Sequence, residues 1–119
     1  MRASKVLIES YDFGRIIIDG VTYTSDMMII GEKVEAGWWR KEGHALEVAD
    51  IKDAIEQFAP EVVIIGTGHM GMMRVPKPTR EYFESKGIEF LVERTKKACG
   101  LFNDLSKSRR TLAALHLTC

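Results

Sequence analysis

The chain has 119 residues, 45% hydrophobic and 29% charged, which suits one domain over residues 1–119 with core enough to need no disulfide or metal. Formal net charge is zero, with 17 basic and 17 acidic residues, which argues against nucleic acid as a partner, because such binders are basic overall. There is no apolar run of the ~20 residues that span a bilayer, no signal-like core in Met1–Ser10, and only Cys99 and Cys119 in place of a disulfide framework; the expectation is a cytoplasmic protein that contacts no membrane.

The first third reads as β-structure. Lys5–Glu9 is a short strand. Arg15–Ile18 and Val21–Thr24 form a hairpin, because Asp19-Gly20 supplies the positive φ angles of a two-residue turn. Ile16, Ile17 and Ile18 are consecutive, which predicts a strand covered on both faces. Met27–Ile30 and Lys33–Glu35 follow around Gly31, and Trp38-Trp39-Arg40 closes the region before a loop at Gly43-His44.

Asp50 reads as the N-cap of a helix whose Ile51, Ala54, Ile55 and Phe58 form one buried stripe at i, i+3, i+4, i+7. Pro60 follows, then the buried strand Val62–Ile65. Val75-Pro76-Lys77-Pro78 is extended, and a helix Arg80–Lys86, opening at Pro78 or Thr79, is stopped by Gly87. Ile88–Val92 is a strand. Thr95 caps a third helix that buries Ala98, Leu101, Phe102 and Leu105, and Thr111–Thr118 closes the chain as a strand.

This order predicts an α/β domain. Val62–Ile65, Ile88–Val92 and Leu112–Leu117 form a parallel βαβαβ sheet with helices on it, and the N-terminal hairpin adds an antiparallel extension or second layer.

The most informative junction is Val62–Ile65 running into Gly66-Thr67-Gly68-His69-Met70-Gly71. A strand that ends in closely spaced glycines exposes backbone N–H groups to an anion or a ligand edge. The spelling matches G-x-G-x-x-G, and Glu93 stands where a ribose-binding acid belongs. Pro76 and Pro78, however, keep a helix from starting at the third glycine, so no helix dipole faces the loop. A tight turn needing small residues for close packing is the preferred reading, and no cofactor is expected.

Residues 1–59 carry 7 basic and 11 acidic side chains, and residues 60–119 carry 10 and 6. This polarity favours an anionic ligand near the second half or head-to-tail self-association. His44, His69 and His116 lie outside metal-ligand spacing, and no metal is expected. His69 is the candidate ligand-facing imidazole, and Cys99 reads as a small core residue. Met70, Met72 and Met73 suit an adaptable contact surface. Of Trp38 and Trp39, one is core and the other an interface anchor reinforced by Arg40.

Several phrases spread along the chain carry a family likeness. They are Trp39-Arg40 with Gly43-His44, Ala49-Asp50-Ile51, Ile64-Ile65-Gly66-Thr67-Gly68, Val75-Pro76, Glu81-Tyr82, Gly87-Ile88, Thr95 with Ala98, Asn103, Arg109-Arg110 and the final His116-Leu117-Thr118-Cys119. In this order they resemble the small family that includes the animal adipogenesis-associated domain protein and a mitochondrial complex I assembly factor, with stand-alone archaeal and bacterial members. The resemblance implies a compact α/β fold with an added antiparallel layer and brings no established enzyme activity. It marks Arg40, Gly66, Gly68, Thr95, Asn103, Arg110, His116 and Cys119 as a shared cleft without catalytic roles.

Two functions follow as expectations. The first is a non-enzymatic interaction or assembly module acting through Trp38, Trp39, Met70, Met72 and Met73. The second is an anionic-ligand site, with catalysis left open, at the carboxyl ends of the parallel strands. Gly66, Thr67, Gly68, His69, Arg40, Arg74 and Thr95 would form it, with Asn103, Arg110, His116 and Cys119 nearby.

Overall fold

The computed structural model describes residues 6–119. Its elements are β1 (Ile8–Asp12), β2 (Arg15–Ile18), β3 (Val21–Tyr23), β4 (Met27–Ile30), β5 (Lys33–Ala36), α1 (Val48–Phe58), β6 (Val62–Thr67), α2 (Lys77–Ser85), β7 (Glu89–Glu93), α3 (Thr95–Leu105) and β8 (Thr111–His116). β1-β2-β3 is an antiparallel sheet, and a mixed five-stranded sheet has the order β5-β4-β8-β6-β7. The expected parallel set is present: β6 pairs in parallel with β7 on one side and β8 on the other. The N-terminal hairpin takes the second alternative, a separate sheet β1–β3, while the antiparallel extension of the parallel set comes from β4, paired with β8.

Stepping from β6 to β7 and then back across to β8 places the two crossover helices on opposite faces if both turns keep the same hand. Alternation along the strands then fills two cores. Ile64, Ala113 and Leu115 meet Phe102 of α3 and Ile16 and Ile18 of β2. Val63, Ile65, Leu112 and Ala114 meet Ile51, Ile55 and Phe83 of α1 and α2. β6 and β8 are therefore buried along their whole length, which explains their unbroken apolar spelling.

Several boundaries differ from expectation for local reasons. The α1 N-cap is Glu47 and Asp50 lies inside the first turn, where its Oδ2 accepts the Glu47 N–H at 2.9 Å. An acid three residues into a helix serves the cap from within. α2 begins at Lys77 with Pro78 in its first turn, where a missing N–H costs nothing. Its exit is a Schellman motif in which the Gly87 N–H donates to Glu84 O and the Ile88 N–H to Phe83 O, both at 3.0 Å. Ile88 thus belongs to the helix exit, and the next strand starts at Glu89. The α3 N-cap is Arg94, with Thr95 the first helical residue. β5 extends one residue further than expected, to Ala36.

β8 stops at His116, because the Leu117 N–H leaves the sheet for Asp26 Oδ1 at 2.8 Å. The first strand is Ile8–Asp12, and the expected Lys5 lies outside the described residues. Ile17 is only half-buried, since the small sheet has one face on the core. The Asp19-Gly20 turn forms as expected, with both φ angles positive. No helix among the described residues is long and apolar enough to cross a membrane.

Ala59 ends α1 in the left-handed region, φ 51° and ψ 62°. That conformation costs a Cβ-bearing residue about 1–2 kcal/mol, against about 0.4–1 kcal/mol for the extra unfolded-chain freedom of glycine. Ala59→Gly is expected to stabilise the fold by about 1 kcal/mol or less, read as a higher urea midpoint at unchanged slope. An unchanged or lower midpoint would count against strain at this cap.

Candidate functional site at the carboxyl edge of the parallel strands

β6 and β8 end side by side, with Gly66 opposite Leu115 and Thr67 opposite His116. Thr95, fully buried at the start of α3, stitches these ends together. Its hydroxyl accepts the Gly68 N–H at 2.9 Å and donates to His116 O at 2.5 Å, while its own N–H donates to Gly68 O at 3.2 Å. The expected shared edge of Gly66-Thr67-Gly68 and Thr95 is therefore present. The Thr95 hydroxyl bonds the strand ends and gives its helix no side-chain cap.

The two glycines are required by the chain's own packing. A Cβ on Gly66 would lie 2.8 Å from Thr95 Oγ1 and 2.9 Å from a Leu115 methyl. Gly68 has φ +106°, and a Cβ there would lie 2.5 Å from the Cys119 carbonyl carbon and 2.7 Å from His116 Cδ2. The loop amides are also engaged within the chain. His69 N–H donates to Thr118 O at 2.6 Å, Met72 N–H to Cys119 O at 2.8 Å and Met73 N–H to Thr67 O at 3.0 Å. No helix starts at Gly71; the next one opens at Lys77.

Beside this edge lies a buried polar cluster from three distant segments. Arg40 Nη2 is 2.9 Å from Asp26 Oδ2, and His116 Nδ1 is 2.7 Å from the same oxygen. A carboxylate can only accept, so both nitrogens donate to it and Nδ1 carries a proton. Arg40 Nη2 also donates to Gly43 O at 2.7 Å, and its guanidinium stacks on Trp38 at 4.8 Å. The Trp38 indole N–H in turn donates to Asp50 O at 3.0 Å. The His44 ring meets His116 edge-on at 5.8 Å.

Burial pushes the Asp26 carboxyl up, but hydrogen bonds from His116 and the Leu117 amide, the His116 charge and the Arg40 bond outweigh it and hold the group below its ordinary value. Arg40 Nε and Nη1 and His116 Nε2 are buried without a hydrogen-bond partner among the described residues. Asp26 escaped the sequence reading, because it stands 90 residues from His116. Its one signal was a carboxylate at the threshold of the apolar run Met27–Ile30.

The remaining candidates are dispersed. Thr67 Oγ1 donates to Glu93 O at 3.2 Å. His69 is exposed, its ring 6.0 Å from Tyr11 and 5.8 Å from Phe13. Arg74 is exposed over a groove it shares with Glu42 and Glu47. Asn103 clips α3 to β1 through both polar groups of the Ile8 backbone. Arg110 lies at the opposite end of β8, where it bonds Phe58 O and covers the Phe58 ring. Neither Asn103 nor Arg110 joins a cleft with Gly68, because each is committed elsewhere.

Met73 turns inward onto α1 and α2 and is no surface contact, since alternation in the extended loop sends Met72 and Arg74 out and Met73 in. Trp38 is half-buried and Trp39 is 77% exposed, although both lie beyond the end of β5. The Cys99 thiol is buried, and burial pushes it up to about 12, which leaves it inert at neutral pH. Tyr11, whose hydroxyl donates to Leu117 O, is likewise pushed up to about 12, by burial and then by the nearby Cys99, Asp26 and Asp12.

Chemically, the arrangement joins the chain to itself. The cluster ties β4, the 38–46 loop and β8, and the tail Leu117–Cys119 fills the inner side of the glycine loop.

Solved structures share this architecture. A conserved hypothetical protein of Pyrococcus horikoshii is 26% identical, with TM-score 0.81 over 94% of this chain and 98% of that one. A protein of Bartonella henselae described as an outer membrane protein is 22% identical, with TM-score 0.81 over the whole of both chains. A Mth938-like domain of Bordetella pertussis is 19% identical, with TM-score 0.65 over 93% of this chain and 85% of that one. The last two likenesses bear on fold alone. Residues 8–116 match the family described as "Protein of unknown function (DUF498/DUF598)", and the chain belongs to that family.

Proposed function

We propose that this chain is a non-enzymatic interaction module of the cytoplasm, acting through the outer face of the glycine loop. One observation carries the reading: the loop's inner amides are engaged by Thr118 and Cys119, while Met70 and Met72 stand 61% and 52% exposed and Phe13, 54% exposed, meets the ring of the adjoining His69. Large apolar side chains grouped on an otherwise polar surface mark contact sites. The resemblance to a respiratory-complex assembly factor supports the same role, with Trp39 as a second anchor.

The test places photo-crosslinkers at Met70, Met72 and, as control, Lys52 in living cells. A single protein should recur at both loop positions, and the complex rebuilt from purified components should be lost with Met70→Asp. No recurrent adduct, together with phosphate or carboxylate compounds raising the melting temperature, would replace this reading with the ligand site. The buried, unpartnered nitrogens of Arg40 and His116 are the observation that favours that alternative.

A further inference from the structure

The margin of the exposed loop is cationic. A Cβ on Gly71 would meet Arg94 Cγ at 3.4 Å and Nε at 3.5 Å, so Arg94 lies across the loop between Met70 and Met72. Arg94, Lys96 and Arg74 have no carboxylate partner among the described residues, whereas Lys97 is 3.7 Å from Glu93. The first turn of α3 carries Lys96 and Lys97 and no acid, the sign opposite to what a helix N-terminus favours. Phe13 borders the same face through its 5.8 Å edge contact with His69. The surface therefore has soft apolar side chains crossed by Arg94, with further unpaired positive charge two residues on at Lys96 and, beyond Met72, at Arg74.

Resting on the interaction reading above, we propose that this face receives an acidic amphipathic helix of a partner protein. Its apolar side chains would cover Met70, Met72 and Phe13, and its Glu or Asp residues would meet Arg94, Lys96 and Arg74. Methionine side chains reshape easily around differing apolar partners, and helices dock in this way through residues spaced three and four apart. Unpaired rim cations add specificity and on-rate when met by opposite charge. An anionic bilayer fits less well, because Glu93 borders the face, as do Glu42 and Glu47 in the Arg74 groove. A uniformly charged surface cannot avoid these carboxylates, but a peptide can place its acids between them.

The test follows backbone amide resonances of the folded chain during titration with two synthetic helices of about five turns. Both carry the same leucine face, one with a glutamate polar face and the other with lysine. The glutamate helix should shift His69, Met70, Met72, Arg94 and Lys96 saturably, with affinity falling as salt is raised. Arg94→Glu combined with Lys96→Glu should weaken it by about tenfold or more and raise the affinity of the lysine helix, at a melting temperature no lower than that of the wild type. Equal binding of both helices, lost with Met70→Asp, would overturn the acidic partner and leave the interaction module standing. Binding to phosphatidylserine vesicles without binding to the glutamate helix would overturn it in favour of a membrane. No response to either helix, with phosphate or citrate shifting the same amides, would overturn both readings.

Discussion

Gly68→Val is expected to lower the unfolding free energy by roughly 3–5 kcal/mol, the range of overpacking added to backbone strain. The Cβ would overlap the Cys119 carbonyl at 2.5 Å and 2.7 Å and His116 Cδ2 at 2.7 Å, at φ +106°. Backbone atoms cannot rotate aside as a side-chain tip can. The tail that would have to move is held by Leu117 N–H on Asp26, by Gly14 N–H and the Tyr11 hydroxyl on Leu117 O, and by His69 and Met72 N–H on the next two carbonyls. Urea unfolding measures the loss, and Gly68→Ala serves if the valine variant does not fold. Gly100→Ala is the control, because a Cβ at Gly100 meets nothing within 4 Å, and alanine should stabilise the helix interior by about 0.5–1 kcal/mol. A loss below about 1 kcal/mol for Gly68→Val would mean that the tail is not held as described.

Asp26→Asn should cost about 3–5 kcal/mol, the usual effect of removing one partner from a buried ion pair. It leaves the Arg40 guanidinium, only 4% exposed, without a counter-charge, and takes the ionic acceptor from His116 Nδ1. Arg40→Met, which removes the buried cation and fills its space, should cost less in the Asp26→Asn background than in the wild type. The pH dependence has a definite sign. The Asp26 carboxyl is held below its ordinary value in the fold, so its contribution is complete above the unfolded value of about 3.9 and is lost as pH falls through the lower folded value. The stability curves of wild type and Asp26→Asn should therefore converge below about pH 4. Parallel curves through that range would show that Asp26 does not titrate as an ion-paired acid.

Much of the fold was legible because its signals are local. Asp19-Gly20 favours a two-residue hairpin turn locally, and Gly87 stops α2 because a cap at φ +68° favours glycine. The i, i+3, i+4, i+7 stripe of α1 located its core, with Ile51 and Ile55 buried and Ala54 and Phe58 half-buried at its margin, and the short α-β alternation from residue 50 onward required parallel strands. Boundaries slipped where a partner outside the window decided them: Phe83 O takes the Ile88 N–H, and Asp26 draws the Leu117 N–H out of β8.

The candidate site was legible in place, and the preferred reading of a turn that needs small residues for close packing holds at Gly66 and Gly68. That strand ends, glycines and Thr95 share an edge follows from parallel topology, which the sequence pattern determines by itself. Which partner occupies the glycine loop does not follow, because the same two glycines would serve a ligand's oxygen or the chain's own carbonyl. Only the tertiary structure decided between them, by bringing Cys119 against Gly68. The same holds for Asp26, Arg40 and His116. Long-range contacts between charged groups leave no periodicity in the chain, and their chemistry exists only once the sheet order β5-β4-β8 brings the three together.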